Sequence, residues 1–109
     1  MSALAQRMRA RRESRVEVGG FGFQLRLPTA LQCMQAANAA DLALSAVVGW
    51  DGVRLSDLLP GEPDEPVPFE ADACREWLAE RLDLLGPLIE ELSRLRDARK
   101  AEIEGAEKN

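Results

Sequence analysis

Between residues 14 and 27 the chain alternates polar and apolar side chains in steps of two. Val16 and Val18 sit among polar neighbours, and Phe21, Phe23, Leu25 and Leu27 alternate with Gly22, Gln24 and Arg26. Gly19-Gly20 separates the two runs, and paired glycine between alternating runs predicts a β-hairpin. Period 2 places Phe21, Phe23, Leu25 and Leu27 on one sheet face. A lone hairpin is marginal in water, so that face needs helices to cover it.

After Pro28 the pattern turns helical. Thr29 reads as an N-cap, with Gln32 three residues on as in a capping box. Leu31, Met34 and Asn38 share a stripe in an alanine-rich segment. A break near Asn38–Asp41 would let Asp41 cap a second helix carrying Leu42, Ala46 and Val47, stopped at Gly49. Trp50-Asp51-Gly52-Val53 reads as a tight turn, with Trp50 anchoring the core through its large apolar area.

Residues 54–68 contain Pro60, Pro63, Pro66 and Pro68 among Asp57, Glu62, Asp64 and Glu65. That proline density predicts an acidic strap without a regular helix. A helix then follows Phe69, its first turns loaded with Glu70, Asp72 and Glu76, which suits the positive end of a helix dipole. Trp77 anchors one side of it. Pro87 predicts a boundary near Leu82–Gly86, because proline is tolerated only near a helix start. Leu84, Leu88, Leu92 and Leu95 then form an i, i+4, i+8, i+11 stripe, flanked by Leu85 and Ile89. Glu90 and Arg94 are spaced as an ion pair on its polar side. Beyond Arg96 the leucines stop.

These segments predict an α+β, mainly helical fold, with an N-terminal β-hairpin (about 14–27) packed against three or four helices. Residues 14–96 form one globular domain with the acidic proline-rich strap at 54–68. Residues 1–13 are a flexible basic arm, either a frayed helix or disordered, and 97–109 a frayed charged tail. The leucine stripe faces the domain's own core, or leaves part of itself to a partner helix.

Composition narrows the chemistry. Apolar residues make up 46% and charged residues 30%, which suits one globular domain. No apolar run is long enough to span a bilayer, and no signal-peptide core precedes the hairpin, so neither a membrane partner nor secretion is expected. Histidine is absent, which removes the commonest general base. No nucleophile elbow, phosphate loop or dinucleotide fingerprint is present. Cys33 and Cys74 lie far apart, and a tetrahedral zinc site would lack ligands. Both read best as small buried hydrophobes, a disulfide between them being unsupported. Neither an enzyme nor a cofactor or metal is expected.

The net charge of −5 is unevenly spread. Residues 1–26 hold six arginines against Glu13 and Glu17, while residues 51–80 hold nine acids against Arg54 and Arg75. An arginine arm can bind phosphates, but the overall acidity and the strap oppose a nucleic-acid partner.

The order of these motifs resembles a phage family. It runs from the Val16 hairpin and Pro28-Thr29 through the alanine-rich segment to Val47-Val48-Gly49-Trp50-Asp51-Gly52-Val53. It continues with Pro66-Val67-Pro68-Phe69, Trp77-Leu78, Pro87 and the leucine-rich helix. Over residues 14–96 the chain resembles the small tail assembly chaperones of long-tailed, lambda-like phages and prophages. The resemblance implies a non-catalytic protein that binds the tape-measure protein, keeps its helical segments soluble and helps recruit the tail-tube subunit. It further implies a place in the host cell cytoplasm, absence from the mature virion, and a longer frameshifted form of the same chain. Lys108-Asn109 is compatible with an A-rich slippage run, which only the DNA reveals.

The expected partner-binding residues are Leu88, Leu92 and Leu95, as exposed members of the last helix, together with Arg7, Arg9, Arg11 and Arg12 of the basic arm. Phe21, Phe23, Trp50 and Trp77 are expected to anchor the fold. The alternatives are a small nucleic-acid-binding or regulatory protein using the arginine arm, and a structural subunit of the virion.

Overall fold

The computed structural model describes residues 2–107. Lys108 and Asn109, on which the slippage reading rests, lie outside them. A first helix, α1 (Ala3–Ala10), leads into β1 (Glu13–Val18) and β2 (Phe21–Arg26). Gly19 and Gly20 form the two-residue turn between the strands, with φ of +61° and +87°. Positive φ at both turn positions matches the right-handed twist of the flanking strands. Val18 faces Phe21 across the turn, and Glu13 faces Arg26 at the open end of the hairpin.

The sheet has a third strand. β3 (Val47–Asp51) pairs antiparallel with β2, giving the order β1-β2-β3. The sequence pattern carries a helix into Val47 with Gly49 as its stop; the helix instead ends at Ala46. β-branched valines and Trp50 favour a pleated surface, and pairing there satisfies the exposed edge of β2. The pairing register shifts between Gln24 and Leu25. Gly49 has a different use from a helix stop: a Cβ there would meet the Gln24 side chain. The expected turn begins later, at Gly52, where φ is +76°.

Two short helices, α2 (Ala30–Gln35) and α3 (Ala39–Ala46), separate β2 from β3. Thr29 caps α2 in a full capping box: its Oγ1 accepts from the Gln32 N–H (3.2 Å) and Gln32 Oε1 accepts from the Thr29 N–H (2.9 Å). The α3 cap is Asn38, one turn earlier than the Asp41 expected, with Oδ1 accepting from the Asp41 N–H.

After β3 the strap contains one helical turn, α4 (Leu55–Leu58), ahead of its first proline. This corrects the expectation of no regular helix. Arg54 bridges to Pro66, and the Val67 N–H donates to the Val53 carbonyl (3.1 Å), so both ends of the strap lie together. α5 (Ala71–Glu80) and α6 (Leu82–Glu107) complete the chain. The break falls at Arg81, just before the expected boundary, and α6 runs on through Pro87.

α6 also continues past Arg96 to Glu107, so the tail expected to fray is helical among the described residues. Good helix formers such as Ala98, Lys100 and Ala101 support it, as does the Arg99–Glu102 pair at 3.3 Å. Its 26 residues span about 39 Å, and the molecule measures 56 Å along its longest axis.

Hydrophobic burial has two centres. Phe23, Leu25, Trp50, Trp77, Leu78 and Leu88 belong to the cluster under the sheet. Leu27, Leu42, Ala43, Ala46, Leu85 and Leu92 form the second, between α3 and α6. The small side chains of Ala43 and Ala46 let α3 approach α6 closely, and Leu44 and Leu95 touch both clusters. Phe21, Phe23, Trp50 and Trp77 meet as one aromatic group, with Phe21–Trp77 and Trp50–Trp77 edge-to-face at 5.0 and 6.0 Å. Arg75 ties α5 to α3 through Asp41 and Ser45, each at 3.2 Å.

Candidate partner-binding surface

The structure overturns the expected binding face on α6. Leu88 is 1% exposed and Leu92 3%, and Leu95 is half-buried against both clusters. The stripe is interior because α6 lies along the sheet and α3 and spends these leucines on them. The polar side also differs from the expected spacing. Arg94 pairs with Glu91, not Glu90, and its Nε donates to Glu91 Oε2 at 3.2 Å. That bond holds the Glu91 carboxyl below its ordinary range.

The same stripe continues where the leucines end. Leu92, Leu95, Arg99 and Ile103 follow i, i+3, i+7, i+11 spacing, and beyond the sheet the stripe opens to solvent: Ile103 is 46% exposed. Opposite this part of α6 stands the corner between β2 and α2. The two enclose an open groove of about 870 Å³. Leu27, Pro28, Cys33 and Ile103 supply its apolar surfaces. Arg12, Arg96 and Lys100 contribute positive charge, and Asp97 and Glu104 negative charge.

α2 adds apolar surface beside the groove. It buries no residue; Cys33 and Ala36 turn partly inward, while Leu31 and Met34 point to solvent, Met34 at 83% exposure. Helical rotation places Met34 on the face adjoining Ala30, which lines the groove. The sequence reading found the Leu31–Met34 stripe but not that it faces outward. Ile103 was missed, although its spacing from Leu92, Leu95 and Arg99 is visible in the sequence.

The basic arm divides. Arg12 is tied to the open end of the hairpin, just outside the strands: its Nε donates to the Leu27 carbonyl (3.1 Å), and the Leu27 N–H donates to the Arg12 carbonyl (2.7 Å). Its guanidinium is thereby fixed on the groove wall. Arg7, Arg9 and Arg11 belong to α1 and its C-cap. Ser2 caps this helix, its Oγ accepting from the Ala5 N–H. No residue of α1 is buried, and Leu4 and Met8, one turn apart, are 64% and 58% exposed.

Among the described residues, no group of three or more His, Cys, Asp or Glu side chains is placed to hold a metal ion. Both cysteines are free. Cys74 is buried, and loss of solvation pushes its thiol up to about 11. No described helix is long and apolar enough to cross a membrane.

The fold and surface define a small α+β protein with a covered sheet, a projecting helix and an open amphipathic groove. Comparison with protein-family models, with curated proteins and with solved structures gives no match.

Proposed function

We propose that this chain is a non-catalytic tail assembly chaperone of a long-tailed phage or prophage, and that it holds a helical segment of the tape-measure protein in the groove between α2 and the distal part of α6. The observation that carries this reading is the open groove itself, with apolar surfaces from Leu27, Pro28 and Ile103 between charged rims. An amphipathic helix lays its apolar face into such a groove and its polar edges against the rims. The mixed charges at Arg12, Arg96, Lys100, Asp97 and Glu104 suit a polar rim that releases its client.

The ordered motif set from Val16 to the leucine-rich helix supports the family. Trp50 to Val53 and Pro66 to Phe69 support the fold, as described, so client contact falls to surfaces outside these motifs. Tail-tube subunits are the second partner in this reading, and the protein acts in the host cytoplasm before the virion is complete.

Co-expression with the tape-measure protein of the same phage region tests the proposal. The client should accumulate in the soluble fraction with this chain bound, and mass spectrometry of purified virions should find no copy of it. Equal client solubility with and without the chain, and no recoverable complex, would reject the reading.

A further inference from the structure

The sheet holds the basic and acidic blocks apart. α1 joins β1 at the open end of the hairpin, where Glu13 faces Arg26. The strap leaves β3 at the opposite end, where Asp51 faces Gly22 beside the turn. Each strand of this hairpin has six residues, so the two attachment points stand about 20 Å apart. Both ends of the strap are fastened at the turn end by the Arg54–Pro66 bridge and the Val53–Val67 bond. The strap is thus held as a loop about 20 Å from the point where α1 joins the sheet.

Each block also carries exposed apolar side chains. α1 presents Leu4 and Met8 alongside Arg7 and Arg11. The strap presents Leu59 at 55% exposure among Asp57, Glu62, Asp64 and Glu65. Arg54 neutralises part of the strap through Asp64 at 3.5 Å. Glu62 and Glu65 are exposed. Two surfaces of opposite charge, each carrying exposed apolar side chains, are thus attached at opposite ends of the sheet.

We propose that α1 of one copy docks on the acidic strap of a second copy, Leu4 and Met8 against Leu59, with Arg7 and Arg11 facing Glu62 and Glu65. The contact joins different patches on the two copies. Exposed ion pairs are individually weak, so the association is concentration-dependent and screened by salt. It goes beyond the client-binding reading and uses neither wall of the α2–α6 groove.

Sedimentation velocity on the full chain tests it. At about 0.02 M salt, where the Debye length is roughly 20 Å or more, the mass should rise with concentration above the 12.0 kDa of one chain. At about 1 M salt, where charges are screened within roughly 3 Å, it should return to that of the monomer. The double variants Arg7→Glu/Arg11→Glu and Glu62→Lys/Glu65→Lys should each remain monomeric at low salt. An equimolar mixture of the two should associate, because each reversed patch then meets its complement. The mixture also pairs the native α1 of the second variant with the native strap of the first, so its recovery does not depend on α1 helicity in the first variant, which circular dichroism follows separately. A wild-type chain that stays monomeric at every concentration and salt, or a mixture that fails to recover association, overturns the proposal.

Discussion

The indole N–H of Trp50 donates to the carbonyl of Val67 at 2.7 Å, joining the last strand of the sheet to the far end of the acidic strap. Phe69, two residues on, stacks edge-to-face on the same indole at 5.2 Å. The Val67 N–H is taken by Val53. Two short motifs separated by a run of prolines and acids are therefore one packing unit. The run between them closes as a loop over that unit, and the rest of its sequence is free to be acidic because its apolar contacts are made at its ends and through Leu58.

Trp50→Phe and Trp77→Phe remove the same indole nitrogen from two buried sites, with different consequences. Trp50→Phe leaves the Val67 carbonyl without its donor. Trp77 Nε1 is buried with no partner among the described residues, so its loss removes no hydrogen bond. An unmade buried hydrogen bond costs about 1–3 kcal/mol. Urea unfolding should rank Trp50→Phe as less stable than Trp77→Phe by about that amount, and limited proteolysis should cut the Trp50→Phe strap faster. Equal losses in the two variants would count against the bond.

Leu88 and Met34 separate core from surface. Leu88→Ala deletes a fully buried side chain and should lower unfolding stability by about 2–5 kcal/mol. Met34→Ser changes an exposed one and should shift stability by no more than about 0.5 kcal/mol. Denaturant titration of both variants checks the reversal of roles between the leucine stripe and α2.

The hairpin turn predicts an asymmetry between its glycines. Alanine is strained at both positive-φ positions, but only at Gly19 would its Cβ approach Leu84 Cδ2, at 2.6 Å. Leu84 is buried and has little room to yield. Gly19→Ala should therefore lower the melting temperature further than Gly20→Ala, where nothing lies within 4 Å of the added atom.

The thiols give a pH prediction. Burial raises the folded Cys74 thiol from the ordinary 9.0 to about 11. A raised acid favours the folded state while protonated, so this stability is intact below pH 9 and declines as pH rises from about 9 to about 11. Cys74→Ala should flatten that part of the stability profile. In the folded protein at neutral pH, a maleimide should modify half-exposed Cys33 and leave Cys74 untouched until denaturant is added.

The hairpin, the capping box at Thr29 and the aromatic anchors were legible because local chemistry decides them. Gly19-Gly20 sets its own turn, and Thr29 and Gln32 complete each other within one helical turn. β3 was not legible, because Val47-Val48-Gly49-Trp50 is strand only when the edge of β2 is there to pair with it. The exposure of Leu31 and Met34 was hidden for a related reason. A helix of six residues shows a stripe, but tertiary packing chooses which side turns inward, and here Cys33 and Ala36 take that side. The leucines of α6 misled in the opposite sense: their periodicity announces a buried face without saying who buries it. Ile103, the continuation of that face beyond the sheet, is where α6 has apolar surface to spare.

The most direct measurement compares soluble tape-measure protein recovered by affinity capture of this chain with and without an intact groove. Ala30→Asp and Ile103→Asp place carboxylates on exposed residues that line the groove, and the folded state should tolerate them, as circular dichroism and urea unfolding would confirm. The wild-type chain is predicted to co-purify with the client, and the double variant to recover at most about a tenth as much, the ratio set by a loss of roughly 1.4 kcal/mol or more in binding. Equal recovery by both chains, or no client with either, would contradict the account.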